Sequence, residues 1–494
     1  MRRFVTKTLI LLTLTGTFPL STVANQSQRS LSSTEKFSET NDNKLSNELL
    51  AKLKIYQTTL ISGSKKFSLE ETLILCFQNN PNLKYYKTNV ESKYYQLYAS
   101  KLLWMPTISV YNSQTPSFGR YSSKTVSTTD TSNSTSKSQY NVITPGVQLT
   151  WNFLMPTRSP YINFNLKQLE SSQYIYLTAV RNQLLSAQSA YYQVQANYEL
   201  IKQYTKIYNI ELKQITLMQE RYNDKVLDLG SLGQTKAQLY LTLSQLIAYY
   251  NQYFVSVANL ANVVGLDEKT IIIPSSELTQ QGTWNLSLND SINNALAFRE
   301  EIKNYLSLAE ASGFNSEYYL RSYLPVLALY GSTYYSKLSG ESQNIYGNAS
   351  TTSSTIGLNL TWTPFDGGIN YQLSKSQLAL GKGYRSQAEL ERDLVIQQVR
   401  STYSQFVSSQ SNLEATRRAY EASKIGQEVS TVRFNYGVGD ITTIVQSLQL
   451  LSQAASAFVQ AKLDYNNSVA SLYRYTSQDI PNIPTNFFIN TKTP

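Results

Sequence analysis

The sequence contains no histidine and only one cysteine, Cys76, among its 494 residues. Without histidine, the Ser–His–Asp and Cys–His arrangements of nucleophilic catalysis are excluded. Because there are also only four methionines, the chain offers few ligands for a transition metal, and we expect neither a metal site nor a cofactor. A single cysteine also excludes an intrachain disulfide. These absences predict a protein that is not an enzyme.

Long apolar runs are equally scarce. A short apolar stretch, Leu9 to Leu14, follows a basic N-terminus and precedes small residues at Thr22 and Ala24. This pattern predicts a secretory signal peptide over residues 1–24. No later segment approaches the roughly 20 apolar residues of a membrane-spanning helix, whereas the short alternating strands of a β-barrel remain open as a possibility.

The net charge is +10, but the basic residues are scattered rather than clustered. Scattered charge without a recognisable binding motif argues against nucleic acid as a partner. Residues 25–65 are polar and rich in Ser, Asn and Lys, which is typical of a flexible leader. Within that leader, only the stretch near 49–61 has a weak helical pattern.

The chain does contain an internal duplication. Three pairs of segments align in the same order: 67–110 with 286–329, 146–151 with 357–362, and 221–228 with 433–440. These anchors indicate a repeated unit of roughly 210–220 residues, far longer than a solenoid repeat. The predicted organisation is a first repeat at 66–265, a linker at 266–285, a second repeat at 286–477 and a tail at 478–494.

Proline is also scarce, and it is absent from two long windows. None lies between Tyr161 and Ile273 or between Ile369 and Ile480. Both windows carry apolar residues at heptad spacing, which predicts long coiled-coil helices. A helix from Tyr161 to Tyr222 would be roughly 90 Å long at 1.5 Å per residue. Glycines interrupt each window, and there each helix should fold back on a shorter antiparallel partner, at about 232–264 and 443–475.

Strand periodicity is found before the long helix of each half. Residues 147–153 and 356–362 alternate apolar and polar side chains, and each segment follows a first strand that begins after a proline. The stretches 114–139 and 336–353 are rich in Ser, Thr, Asn and Gly, which predicts long solvated loops. Four strands per chain cannot close a barrel, since the smallest closed membrane barrels have about eight, whereas three chains would supply twelve.

Candidate functional residues lie first at the ends of these strands. Aromatic residues at strand ends are typical of a bilayer-interface girdle, although they could also fill a soluble β-core. The aromatic residues are Trp104, Trp151, Tyr323, Trp362 and Phe365. Strand-to-helix turns are predicted at Pro156 and Pro160 in the first half and at Gly367 and Gly368 in the second.

A second set of candidates marks the far ends of the long helices. If the strands lie in a membrane, these ends form the mouth of a tube on the other side, and their polar residues could close it. Helix capping is the alternative role for the same residues. The set comprises Asp224, Asp228, Gly230, Gly233, Gln234, Gly437, Gly439, Asp440, Thr443 and Gln446.

Together these features resemble the TolC family of trimeric outer-membrane efflux proteins. The resemblance covers roughly 67–477 and depends on FSLEETLILCFQNNPNL at 67–83, the strand starts at Pro106 and Pro325, LTWTPFDGG at 360–368 and GVGD at 437–440. It implies a mixed α and β membrane protein, in which a trimeric twelve-stranded β-barrel continues into a long α-helical coiled-coil tunnel in the periplasm.

The resemblance also implies partners and a function. These are a homotrimer in outer-membrane lipid, a periplasmic adaptor (membrane fusion) protein and an inner-membrane pump of RND or ABC type. The protein would then be the passive exit duct of an efflux or type I secretion system. Many relatives carry acidic residues where this chain has Thr443 and Gln446, so an acidic gate is not expected. A structural or adhesive coiled-coil surface protein without channel activity is the alternative.

Overall fold

The computed structural model describes residues 39–113, 117–126, 133–266, 270–342 and 345–478. The predicted signal peptide and the predicted tail beyond residue 478 lie outside the described residues. The chain up to Thr58 forms one unit, and the rest forms a second. Helix α1 (Glu39–Ser62) begins within the first unit, well before the weak helical stretch predicted in the leader.

The second unit repeats one succession of helices. In the first half, α2 (Leu69–Asn79) and α3 (Pro81–Lys101) precede the long helix α4 (Arg158–Asn223) and its antiparallel partner α5 (Leu229–Val264). The corresponding helices of the second half are α6 (Leu288–Phe298), α7 (Glu300–Arg321), α8 (Ile369–Asn435) and α9 (Ile441–Tyr475). Strand β1 (Ser64–Phe67), just before α2, pairs in parallel with β6 (Ile271–Pro274), which lies between the halves. The duplicated helix hairpins predicted from the proline-free windows are therefore present.

Equivalent caps begin the first helix of each repeat. Ser68 accepts a hydrogen bond from the backbone N–H of Glu71 at 3.2 Å, and the Glu71 carboxylate accepts one from the backbone of Ser68 at 2.8 Å. Ser287 caps α6 by accepting a hydrogen bond from the backbone N–H of Asp290 at 3.2 Å. Such a cap satisfies N–H groups that have no partner within the helix, which sets where the helix begins.

One antiparallel sheet holds the strands of both halves. It contains β2 (Thr107–Asn112), β3 (Ser117–Val126), β4 (Asn133–Ile143), β5 (Pro145–Leu154), β7 (Val326–Ser342) and β8 (Ile345–Thr361). The four predicted strands lie side by side in the order β2-β5-β7-β8. In this register Val110 lies opposite Val147, and Leu329 lies opposite Leu358.

The predicted solvated loops are wrong where the structure describes them. In the first half, β3 and most of β4 lie within the predicted loop at 114–139 and pair with each other, and β4 also pairs with β7. In the second half, β7 and β8 extend through much of the predicted loop at 336–353. These segments are polar on both faces, so no alternation marks them as strands. Backbone pairing and their many β-branched threonines stabilise them as strands instead.

Outward-facing apolar side chains mark the two outer strands of this four-strand set. Val110 of β2 is 81% exposed and Ile356 of β8 is 80% exposed, and both alternate with polar neighbours. Leu358 and Leu360 of β8 are also largely exposed. A continuous apolar face of this kind is unusual on a protein surface in contact with water.

The helical core joins the two hairpins close to their turns. Ile207 and Met218 of α4 pack with Ile444 and Leu448 of α9 in one buried cluster. Farther from the turns, Trp284 of the inter-repeat linker packs with residues of α8 and α9. No helix among the described residues is both long enough and apolar enough to cross a membrane.

Candidate functional site

Each long helix ends in the same backbone turn, so the two hairpin tips are structural equivalents. In the first half, the N–H of Val226 donates to the carbonyl of Arg221 at 2.9 Å, and the N–H of Lys225 donates to Tyr222 at 3.0 Å. In the second half, Val438 donates to Arg433 at 3.0 Å, and Gly437 donates to Phe434 at 2.9 Å. This pair of bonds defines the Schellman motif, which requires a left-handed residue after the helix.

The left-handed position is occupied differently in the two tips. Gly437 has φ of 78°, whereas the first half places Lys225 there, with φ of 60°. The expectation that Gly230 and Gly233 mark the first reversal is therefore wrong, because both lie within the opening turns of α5. The chain reverses before them, over residues 224–228.

Aspartates follow both reversals at the N-cap positions of the returning helices. Asp228 accepts a hydrogen bond from the N–H of Ser231 at 3.0 Å and another from the Ser231 hydroxyl. These two bonds lower the pKa of the Asp228 carboxyl below its ordinary value, because both favour the charged form. Asp440 occupies the equivalent position of α9 without a side-chain capping bond.

The remaining predicted tip residues are exposed on the single chain. Asp224, Gln234, Thr443 and Gln446 all direct their side chains away from the hairpin core. Gly439 is packed more closely, since a Cβ there would lie 2.8 Å from the backbone nitrogen of Phe434. The structure therefore brings the tip residues to one end of the hairpins, but within one chain it forms no bonds between the predicted gate side chains in the described segments.

Arg221 is a tip residue that the sequence analysis missed. Its guanidinium donates to the carbonyl oxygens of Phe434 and Asn435, each at 3.2 Å, and lies 4.3 Å from the centre of the Phe434 ring. These carbonyls end α8, where the helix dipole favours a positive charge. The sequence did offer a signal for this role, because both long helices have a basic residue in their last turn. The Arg221 side chain joins one hairpin to the other.

The aromatic residues at the strand ends form two equivalent contacts. The indole N–H of Trp151 donates to the carbonyl of Trp104 at 2.9 Å. In the second half, the indole N–H of Trp362 donates to the carbonyl of Tyr323, also at 2.9 Å. Trp104 and Tyr323 precede β2 and β7, whereas Trp151 lies near the end of β5 and Trp362 directly follows β8. Both indole rings keep a large exposed surface. Phe365, in the turn after β8, is 80% exposed.

The strand-to-helix turns use different chemistry in the two halves. In the second half, Gly367 and Gly368 have φ of 74° and 86°, a conformation in which an L side chain is strained. Asp366 beside them accepts a hydrogen bond from the hydroxyl of Tyr323 at 2.8 Å and one from the N–H of Asn370 at 2.9 Å, which caps α8.

In the first half, the turn contains Pro156, and Pro160 lies in the first turn of α4, where its missing N–H costs no intrahelical bond. Sequence reasoning did not single out Arg158, which is the first residue of α4. It is buried, its guanidinium lies 3.9 Å from the centre of the Trp104 ring, and it donates to the carbonyl of Asn152. It therefore fixes the position of an aromatic at the strand end.

Comparison with known proteins identifies the family of this chain. A family model described as outer membrane efflux protein matches residues 75–266 and 321–478, which is more than half of the chain. The chain therefore belongs to the outer membrane efflux protein family. No curated protein sequence matches it.

Solved structures share the fold at low sequence identity. A membrane protein from Pseudomonas aeruginosa is 14% identical with a TM-score of 0.68, and the match covers 83% of this chain and 92% of that one. The outer membrane protein VceC from Vibrio cholerae is 15% identical with a TM-score of 0.65, covering 83% and 96%. The CmeC outer membrane channel from Campylobacter jejuni is 17% identical with a TM-score of 0.63, covering 86% and 89%.

The family and the shared fold confirm three predictions from the sequence. The resemblance to the TolC family is confirmed, as is the mixed α and β fold class with its internal duplication. The protein is located in the outer membrane, and its helical hairpins lie in the periplasm. The family consists of channels rather than enzymes.

Proposed function

We propose that the protein is the outer-membrane exit duct of a tripartite efflux or type I secretion system. It conducts substrates passively from an inner-membrane pump of RND or ABC type, through a periplasmic adaptor, to the exterior. The duct itself carries out no catalysis and needs no cofactor. The energy for transport comes from the pump.

The open edges of the four-strand set carry this proposal. In the described part of the chain, β2 pairs only with β5 and β8 pairs only with β7. Unpaired edges in a membrane must find partners, because lipid offers no hydrogen bonds. Three copies joined edge to edge, β8 to β2, would close a twelve-stranded barrel, so the functional unit is a homotrimer.

The hairpin tips support docking of an adaptor. Val226, Tyr436 and Val438 are 75%, 82% and 70% exposed at the two turns. Large apolar side chains that protrude together from a surface mark a site of protein contact. The tips lie at the periplasmic ends of the long helices, where an adaptor bound to an inner-membrane pump can reach them.

Size and conductance test the proposal together. The protein purified in detergent is expected to have three times the mass of one chain and to form channels in planar bilayers. A stable monomer would contradict the duct. A trimer that never conducts, even after tip residues are substituted, would favour the structural or adhesive alternative.

The aromatic girdle is a separate part of the proposal. We place Trp104, Trp151, Tyr323, Trp362 and Phe365 at one lipid interface, because Trp151 and Trp362 make equivalent contacts at equivalent strand ends. Variants that keep a single tryptophan can be quenched with brominated lipids. Trp151 and Trp362 are expected to be quenched, whereas Trp284, which is buried in the helical core, is the matched control. Equal quenching of all three would contradict the girdle.

A further inference from the structure

Arg433 is the structural equivalent of Arg221, but among the described residues of its own chain it has no hydrogen-bond or ion-pair partner. Each is the basic residue in the last turn of a long helix. The backbone carbonyl of each accepts the equivalent Schellman bond, from Val226 and Val438 respectively. The Arg221 side chain binds the end of α8. The Arg433 side chain is exposed and, across the described residues, makes no hydrogen bond or ion pair.

The equivalent acceptor for Arg433 lies at the end of α4. Arg221 binds the carbonyls of Phe434 and Asn435, and the corresponding residues of the first half are Tyr222 and Asn223. Asn223 is exposed and Tyr222 is half-buried, so this helix end can be reached from outside the chain. Tyr222 also supplies an aromatic ring where Phe434 does. In the described part of its own chain, Arg433 does not bind the end of α4. The equivalent contact therefore needs α4 of a second copy.

We infer that Arg433 of one copy binds the last turn of α4 in a neighbouring copy, through the backbone oxygens of Tyr222 and Asn223 and the ring of Tyr222. The inference rests on the proposed function, since it needs the assembly of three copies. In that assembly, Arg221 contacts within copies and Arg433 contacts between copies alternate around the periplasmic end. A guanidinium at each helix end binds carbonyls that have no partner within the helix.

The two kinds of contact differ in the packing that surrounds them. Within a copy, Met218 lies in the buried cluster that joins the hairpins, and Gln214 donates to Thr431 at 3.3 Å. The equivalents of Met218 and Gln214 are Ser430 and Gly426, which supply neither the apolar bulk nor the amide. Of these three contacts near the tip, only the arginine contact therefore has an equivalent between copies. We expect the Arg433 contact to help hold the closed end together between copies.

Cross-linking between introduced cysteines tests this contact in the full-length protein. Cys76 is first replaced by serine, and a bis-maleimide reagent of about the span of an arginine side chain is then added. The pair Asn223→Cys and Arg433→Cys is expected to give products of two and three chain masses on a denaturing gel. The pair Arg221→Cys and Asn435→Cys is the matched control and should link only within one chain.

Channel conductance tests the closing role of the same residue. Arg433→Gln is expected to raise the open probability in planar bilayers by at least tenfold, which corresponds to about 1.4 kcal/mol. Arg418→Gln removes a charge from an exposed position of α8 far from the tip, and its conductance should stay unchanged.

The outcomes separate this inference from the proposed function. A monomer in detergent would overturn the proposed function itself. An intact trimer without interchain product from the Asn223 and Arg433 pair, while the control pair links, would overturn the inference alone. Unchanged conductance of Arg433→Gln in an intact trimer would do the same.

Discussion

At the scale of single residues, the two hairpin turns differ most at the left-handed position. Both turns need a residue with positive φ, and only the second half supplies a glycine there, at Gly437. The first half places Lys225 in the same conformation, where its Cβ crowds the backbone. The first turn is therefore the more strained of the two.

Exchanging these residue types should change stability in opposite directions. Lys225→Gly is expected to raise the melting temperature of the protein in detergent, because it removes about 1 kcal/mol of steric cost. Gly437→Lys should lower it by a similar amount. Circular dichroism during heating measures both. Asp224→Gly is the control, since Asp224 has φ of −75° and glycine gains nothing there. If Lys225→Gly were no more stable than wild type, the backbone at Lys225 would not be strained as we infer.

Glu211 is the second residue whose surroundings have a measurable consequence. It lies in α4, is 1% exposed, and accepts bonds from Thr242 at 2.9 Å and Gln238 at 3.3 Å through one oxygen. Its other oxygen has no hydrogen-bond partner among the described residues. Burial raises the pKa of this carboxyl to about 7, against the smaller opposing effect of the two bonds.

This pKa predicts a stability that depends on pH. The ordinary value is 4.5, so between about 4.5 and 7 the folded protein binds more protons than the unfolded chain, and stability falls as pH rises through that range. Above pH 7, burial of the ionised Glu211 costs about 3 kcal/mol. Glu211→Gln should therefore melt higher than wild type at pH 8 and close to it at pH 5.

The control for this prediction is Glu428→Gln, at an exposed site of α8. It should show no such dependence on pH. A difference between Glu211→Gln and wild type that is the same at pH 5 and pH 8 would contradict the account.

At the scale of elements, the tip glycines have different roles in the two hairpins. Gly233 lies inside α5, and a Cβ there would meet nothing within 4 Å. Gly439 lies in the turn itself, where a Cβ would approach the backbone nitrogen of Phe434 to 2.8 Å. One glycine therefore weakens a helix, while the other permits a close approach of the backbone.

Alanine substitution separates these roles. Gly233→Ala is expected to raise the melting temperature, since alanine is favoured over glycine within a helix by about 1 kcal/mol. Gly439→Ala should lower it, because the end of α8 must shift to admit the methyl group. Thermal unfolding followed by circular dichroism compares the two. If Gly233→Ala were destabilising, the residue would be needed at a reversal after all.

At the scale of the whole molecule, we expect the exposed polar residues of the tips to find partners in the proposed assembly of three copies. Thr443 and Gln446 are exposed on α9 in the single chain. Neither residue is acidic, so we expect closure by hydrogen bonds and packing between copies rather than by acidic side chains. Asp440 occupies a cap position, where solvent screens its charge.

Single-channel conductance tests this assignment of the gate. Replacing Thr443 and Gln446 together by alanine should raise conductance, because the hydrogen bonds that we expect them to form across the mouth would be lost. Asp440→Asn should change it only modestly, since the amide keeps the shape of the side chain. If the alanine pair had no effect while Asp440→Asn opened the channel widely, the assignment of the gate to Thr443 and Gln446 would be wrong.

The sequence by itself determined the repeated plan and the long helices. Heptad spacing without proline places α4 and α5 within a few residues of their observed bounds, because helix periodicity and proline exclusion are local properties of the chain. The strand pairs near Trp151 and Trp362 were predictable for the same reason. Their alternation is visible wherever one face of a strand is apolar.

Only the tertiary structure decided the features that depend on distant partners. The hairpin of β3 and β4 is polar on both faces, and pairing with β7 rather than its own pattern makes β4 part of the sheet. Arg221 was unremarkable in sequence, since its acceptors at Phe434 and Asn435 lie in the other half of the chain. The left-handed Lys225 was also hidden. Nothing local marks a lysine for positive φ, and the turn that joins α4 to α5 requires it.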